Sequence, residues 1–271
     1  MSLVRTEIVD GIAQVTIDVT PLPLLNVELF IELFGLLDRL EGEADLRVAV
    51  FRSANPDFFL MHADAQALLQ MQPSTERPAE PNGGVALFER LRRLSCATIG
   101  VLDGAARGGA CELLYAMDMR IGSTRAVVGQ PEVALGLLPG GGGTVRWAKA
   151  LGRARALELL LTGRDMDAEE ALAVGWLQAV VPPHGLDDEA DRLARRIARM
   201  PAASITEIKR VVDVALGPIE DAILAETQAL ARLMAAGQHV EPIRRFLAAG
   251  GQTRGPEVDD FQKIVDETTS T

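Results

Sequence analysis

Cysteine is scarce in this chain of 271 residues: Cys96 and Cys111 are too few for a disulfide framework and form no CxxC pair. The 3 histidines are not clustered, so no metal site is suggested. Such usage fits a reducing, cytoplasmic setting. Positive charge is also in deficit, with 27 Lys plus Arg against 38 Asp plus Glu, a formal charge of −11 and a pI near 4.8. That balance repels phosphate backbones and argues against nucleic acid as a partner. A small polyanion is still admitted, because backbone N–H groups and a few local cations govern its binding. The N-terminal MSLVRTEIVD lacks a basic segment followed by an apolar stretch. No uninterrupted apolar run approaches the roughly 18 residues of a membrane span. A soluble protein with no membrane partner is expected.

The hydrophobic content of 48% is ample for the core of one large domain, alone or with an appendage. Residues 3 to 18 alternate around Asp10-Gly11, a dipeptide suited to a hairpin turn, so two antiparallel strands open the fold. A helix capped by Asn26 follows, with Phe30, Leu33, Leu37 and Leu40 on one face and Gly42 at its end. Leu46 to Phe51 reads as a buried strand, Val85 to Leu94 as a helix, Ala97 to Asp103 as a strand, and a glycine-rich stretch leads into a helix near Cys111. Alternating strands and helices define the α/β class. After about residue 142 the pattern turns helical, with Leu186, Ala190, Leu193 and Ile197 in one stripe. Further helices are expected at Ser204 to Ala215 and Asp221 to Ala236, and one brief strand at Leu177 to Val181. Residues 72 to 84 form the best candidate for a mobile loop.

Three segments carry chemistry: PDFFLMHADAQALLQM, VLDGAARGGACELLYAMDMRIG and GQPEVALGLLPGGGGTVRWAKALG. Glycine ahead of a helix lets backbone amides approach a ligand, and the first amides of a helix have no intrahelical acceptor. Donors converging from Ala63 and Gly109 would suit an oxygen that gains negative charge. On the glycines alone, the competing reading is that Gly108 and Gly109 only make a tight turn. Glu112, in the first turn of a helix, reads equally as a carboxylate stabilised by the helix dipole. Glu132 follows Pro131, which restricts the backbone ahead of it, and reads otherwise as a loop acid. Cys111 has no histidine nearby to activate it and reads as a small buried side chain. His184 is placed in a surface loop, and the scattered methionines are packing residues.

The order AARGGACEL, VGQPE, GLLPGGGGTVRW resembles the central signature of the enoyl-CoA hydratase (crotonase) family, and the resemblance extends over roughly residues 95 to 211. It implies a spiral of ββα turns with an acyl-CoA site, taken as residues 1–200. A helical trimerisation region follows at 201–271, with trimers often pairing into hexamers. It also implies that Glu112 acts on water and Glu132 at the substrate α-carbon, with the N–H groups of Ala63 and Gly109 as the oxyanion hole. Gly108 and Gly140 would lie beside the acyl group, and Asp64, Ala65 and Gln66 along the coenzyme A portion. The coenzyme A thioester is the substrate, and neither a metal nor a redox cofactor is called for. Isomerisation on the same scaffold, or acyl-CoA binding without catalysis, are the alternative functions.

The sequence departs from the family pattern in three places. His62 stands where a glycine usually precedes the donor alanine, and either points away from the ligand or borders the thioester channel. No basic residue occurs in TPLPLL, residues 20 to 25, where one commonly meets the coenzyme phosphates. The C-terminal FLAAGGQTRG lacks the usual basic helix end, leaving Arg244 or Arg245 as substitutes.

Overall fold

The computed structural model describes residues 2–72, 74 and 76–269. Strands β1 (Val4–Val9) and β2 (Ile12–Ile17) form the expected hairpin, turning at Asp10 and Gly11 with φ of 51° and 76°. The Asn26 side chain accepts from Leu29 N at 2.9 Å and so caps α1 (Val27–Gly42), which buries Leu29, Leu33, Leu36, Leu37 and Leu40.

The chain then repeats one path three times, placing a strand in a large sheet, a short strand in a small sheet, and then helix. The first pass is β3 (Val48–Ser53) and β4 (Phe58–Leu60), followed by α2 (Ala65–Gln70) and α3 (Gly83–Arg92). The second is β5 (Ala97–Leu102), β6 (Ala105–Arg107) and α4 (Gly109–Tyr115). The third is β7 (Met119–Ser123), β8 (Val127–Gly129), a 3-10 turn at Glu132–Leu135, and α5 (Gly143–Thr162), which is broken at Gly152. Next come β9 (Asp165–Asp167), α6 (Ala168–Ala173) and β10 (Ala179–Val181). The large sheet has the order β1-β2-β3-β5-β7-β10 and the small one β4-β6-β8-β9.

Both faces of the large sheet are covered, which explains consecutive apolar residues in β3 and β5. Ala49 and Phe51 face the main core with Leu87, Phe88, Leu113 and Trp147, whereas Val48 and Val50 face Leu186, Ala190 and Ala194 of α7 (Leu186–Ala198). The remaining helices are α8 (Ala202–Leu216), α9 (Glu220–Ala236), α10 (Val240–Ala248), α11 (Arg254–Asp259) and α12 (Phe261–Thr269). Apolar residues of α9, α10 and α12 pack on the 3-10 turn, joining Met234, Ile243, Phe246 and Val265 to Ala134 and Leu137.

The structure shifts several expected boundaries. The strand read at 46–51 spans Val48–Ser53, and the helix read near Cys111 begins at Gly109. The three-residue strands β4, β6, β8 and β9 escape a periodicity reading because they are too short to alternate. Of the loop expected at 72–84, Gly83 and Gly84 belong to α3, and Pro73 and Thr75 lie outside the described residues. Among the described residues, no helix is long and apolar enough to cross a membrane.

Candidate active site

The spiral places the starts of α2 and α4 side by side. A Cβ on Gly109 would lie 3.8 Å from the Ala63 nitrogen. The Ala63 segment is held by a bridge to Leu25, whose N–H donates to the His62 carbonyl at 2.9 Å. The Gly108 N–H is consumed by the Gly129 carbonyl at 2.9 Å. Among the described residues, neither the Ala63 nor the Gly109 N–H has an acceptor in these hydrogen-bond networks. Gly108 takes φ of 52°, a left-handed angle that suits glycine.

Glu112, on α4, is 5% exposed. Its Oε1 accepts from Gly141 N at 2.7 Å and Gly143 N at 2.8 Å, both in the PGGGG turn before α5. Burial raises its pKa, while these amides and the nearby Arg146 charge oppose the rise. Glu132 opens the 3-10 turn, and a Cβ on Gly108 would come within 2.7 Å of its Oε1. Burial pushes its pKa well up, and the neighbouring charges of Glu112 and Glu226 push it further. The charge of Glu112 therefore favours the protonated form of Glu132.

Gln130, fully buried, lies against Glu132. In the amide orientation that satisfies its neighbours, it donates to both oxygens of Glu132, at 3.2 and 3.1 Å. In that orientation its amide oxygen and Glu112 Oε1 lie 2.6 and 2.7 Å from the point where a Cβ on Gly143 would fall. Only glycine fits there.

A cavity of about 40 Å³, lined by His62, Ala63, Glu132, Leu135, Phe246 and Val265, opens beside this site. It holds roughly three water-sized groups. The His62 ring borders it, while Nδ1 lies 2.8 Å from the Ala63 carbonyl and Nε2 lies 2.8 Å from Glu257 Oε1. The His62 ring is thus a wall of this small cavity and is anchored to the Ala63 carbonyl and to Glu257. A far larger groove, about 1250 Å³, lies between α8 and the core and is bordered by neither Glu112 nor Glu132.

Of the remaining expected site residues, Ala65 borders the same cavity, and Gln66 is exposed on α2. Asp64 caps α2, accepting from Gln66 N at 2.9 Å and Ala67 N at 3.3 Å. Gly140 is turned toward α9, since a Cβ there would meet Leu230 Cδ2 at 2.3 Å, and the small cavity does not reach it. Arg244 and Arg245 lie on α10, with Glu241 of the same helix 4.0 and 3.8 Å away. Cys111 is fully buried, which pushes its thiol pKa well up and leaves it protonated. His184 is exposed in a 3-10 turn.

Sequence reasoning missed Glu226, Gln130, Arg107 and Glu257. Gln130 lay inside the quoted VGQPE, and Glu226 was an acid within the largely apolar AILAETQALA. Glu257 gave no signal, because its partner is 195 positions away.

The model of the enoyl-CoA hydratase/isomerase family matches residues 7–248. The chain belongs to that family. A candidate enoyl-CoA hydratase from Streptomyces avermitilis superposes with a TM-score of 0.88 at 33% identity, covering 98% of each chain. Pseudomonas aeruginosa DspI superposes with a TM-score of 0.74 at 29% identity, covering 83% of this chain and 92% of that one. The alpha subunit of the fatty acid oxidation complex from Idiomarina loihiensis is 33% identical over 210 residues. That match takes in 76% of this chain, which spans only 29% of the relative's length. The α/β spiral followed by helices is thus the crotonase-type architecture of the family.

Proposed function

We propose that the protein adds water across the double bond of a 2-enoyl-CoA thioester. What supports this reading is a buried Glu112 and a half-buried Glu132 beside two adjacent N–H groups that have no acceptor among the described residues. The thioester carbonyl accepts from Ala63 and Gly109, which draws electron density from the alkene and stabilises the enolate as it forms. Glu112 takes a proton from water while the water oxygen bonds to the β-carbon. Glu132 gives a proton to the α-carbon, so H and OH add in balance.

The division of labour follows from environment. Two backbone amides favour the ionised form of Glu112 as base. Burial and the neighbouring charge favour the proton on Glu132. No metal or redox cofactor takes part in the reaction as written. The coenzyme portion follows Asp64, Ala65 and Gln66. Subunits meet through the 201–271 region, in trimers or hexamers, and the apolar side chains exposed on α8 suit such contacts. The cytoplasm is the expected location.

The experiment is to incubate purified protein with enoyl-CoA thioesters of short and medium length, following loss of the conjugated chromophore and identifying the product. Formation of the 3-hydroxyacyl thioester supports hydration. A shifted double bond as the sole product would replace hydration by isomerisation, and an inert panel would remove both.

A further inference from the structure

Each of the two donor-bearing turns carries a buried basic side chain just ahead of its donor: His62 before Ala63, and Arg107 two residues before Gly109. Hydration as proposed uses neither. Both reach the same segment of the C-terminal helices. His62 Nε2 meets Glu257 Oε1 on α11 at 2.8 Å, and Gln252 N donates to that oxygen at 2.9 Å. Arg107 Nη1 donates to the Glu257 carbonyl at 3.3 Å, and its guanidinium lies 3.9 Å over the Phe261 ring of α12. Asp165 fixes the other side of Arg107 at 2.7 Å. Gln252 also donates to Asp64 Oδ1 at 3.0 Å, tying the same segment to the cap of α2.

Glu257 has no exposed surface. Its Oε2 is without a hydrogen-bond partner among the described residues. A carboxylate in such a place is strongly disfavoured unless a cation faces it, so the pair is a demanding way to anchor a tail. An apolar contact would hold a tail as well. What the ion pair adds is fixed geometry, and the imidazole it fixes is a wall of the small cavity, next to Phe246 in an edge contact with centroids 5.4 Å apart.

We propose that His62, Arg107 and Glu257 are positioning residues that lock the C-terminal helices across both donor-bearing turns, fixing the separation of the two N–H donors and the end wall of the acyl cavity. The proposal rests on the thioester reading above. In it, the tail is part of the site's rigid frame, and the histidine in place of glycine is the link that couples them.

The test uses Glu257→Gln, which keeps the shape and removes the charge, and Phe261→Leu, which loosens Arg107 without leaving a buried charge unpaired. Calorimetry with saturated butanoyl- and octanoyl-CoA reads the cavity without turnover, and hydration kinetics read the donors. Both variants are expected to shift the octanoyl-to-butanoyl affinity ratio toward the longer chain, by roughly tenfold in Glu257→Gln, the scale of modest pocket changes. Glu257→Gln should also lower kcat more than it raises KM. If Glu257→Gln fails to fold, Phe261→Leu decides through the same ratio. Folded variants with the wild-type ratio and kcat would overturn the proposal. Wild type that binds neither thioester would instead overturn the acyl-CoA reading and this inference with it.

Discussion

Glu112 and Glu226 bind interleaved amides of one turn. Gly141 and Gly143 donate to Glu112 at 2.7 and 2.8 Å, and Gly142 and Val145 donate to Glu226 at 2.6 and 3.1 Å. The two carboxyls approach the start of α5 from α4 and α9. Arg146 secures the turn, donating to the Gly141 carbonyl at 2.7 Å and to Glu89 at 2.5 Å. The glycines are therefore a scaffold for charge as well as a place where the backbone bends.

Glu226 should tune the alkaline side of the pH profile. Burial, reinforced by the charge of Glu112, pushes its pKa up to about 8. Above that pH its ionisation adds a negative charge near Glu112 and helps the coupled carboxyls keep their proton. In Glu226→Gln that help is gone, so the alkaline limb of kcat should move to lower pH by roughly half a unit to one unit. An unchanged limb in a variant of normal melting temperature would separate Glu226 from the reaction.

Replacing either member of the proposed pair should be costly. Glu112→Gln and Glu132→Gln are each expected to reduce kcat by about 10²-fold or more, with little change in thioester affinity. Hydration at near wild-type rate by either variant would dismiss the two-carboxylate assignment.

Gly108 offers a steric test. An alanine there would be held at φ of 52° with its Cβ 2.7 Å from Glu132 Oε1. The backbone strain should cost about 1–3 kcal/mol of stability. Displacement of the carboxylate should lower kcat by roughly tenfold or more, on the scale of general acid–base contributions. Normal kinetics in Gly108→Ala would mean that Glu132 does not act from this position.

The His62–Glu257 pair should stabilise the fold within a defined pH window. Burial opposes the imidazolium, but Glu257 overcomes it and raises the His62 pKa above 6.5. The His62 contribution is then complete below 6.5 and fades as pH rises through the folded value. Burial likewise opposes the carboxylate, but His62 overcomes it and holds Glu257 below 4.5. Its contribution is complete above 4.5 and fades as pH falls through the folded value. The difference in melting temperature between wild type and Glu257→Gln should therefore be greatest between 4.5 and 6.5. A difference that is flat across this range and beyond it would argue against an ion pair.

Assembly can be tested on α8, which exposes Ile208 (64%), Val211 (54%), Val212 (51%) and Val214 (69%). Light scattering is expected to give a trimer or hexamer for wild type and a smaller species for Val212→Asp. Monomeric wild type at micromolar concentration would remove the proposal of self-association.

The sequence by itself determined the hairpin, the capped first helix, the alternation of strand and helix, and the family, because each is written in short-range pattern or in contiguous motifs. Through the family resemblance it also implies roles for Glu112, Glu132, Ala63 and Gly109. Only the tertiary structure decided what surrounds them. Gln130 donates to both oxygens of Glu132, Glu226 reaches the glycine turn from a helix more than 80 positions downstream, and Glu257 pairs with a histidine 195 positions away. The physical reason is that hydrogen bonding and burial depend on through-space proximity, which the spiral creates by stacking successive turns. Sequence spacing carries no record of which buried acid will face which amide or cation once those turns are packed.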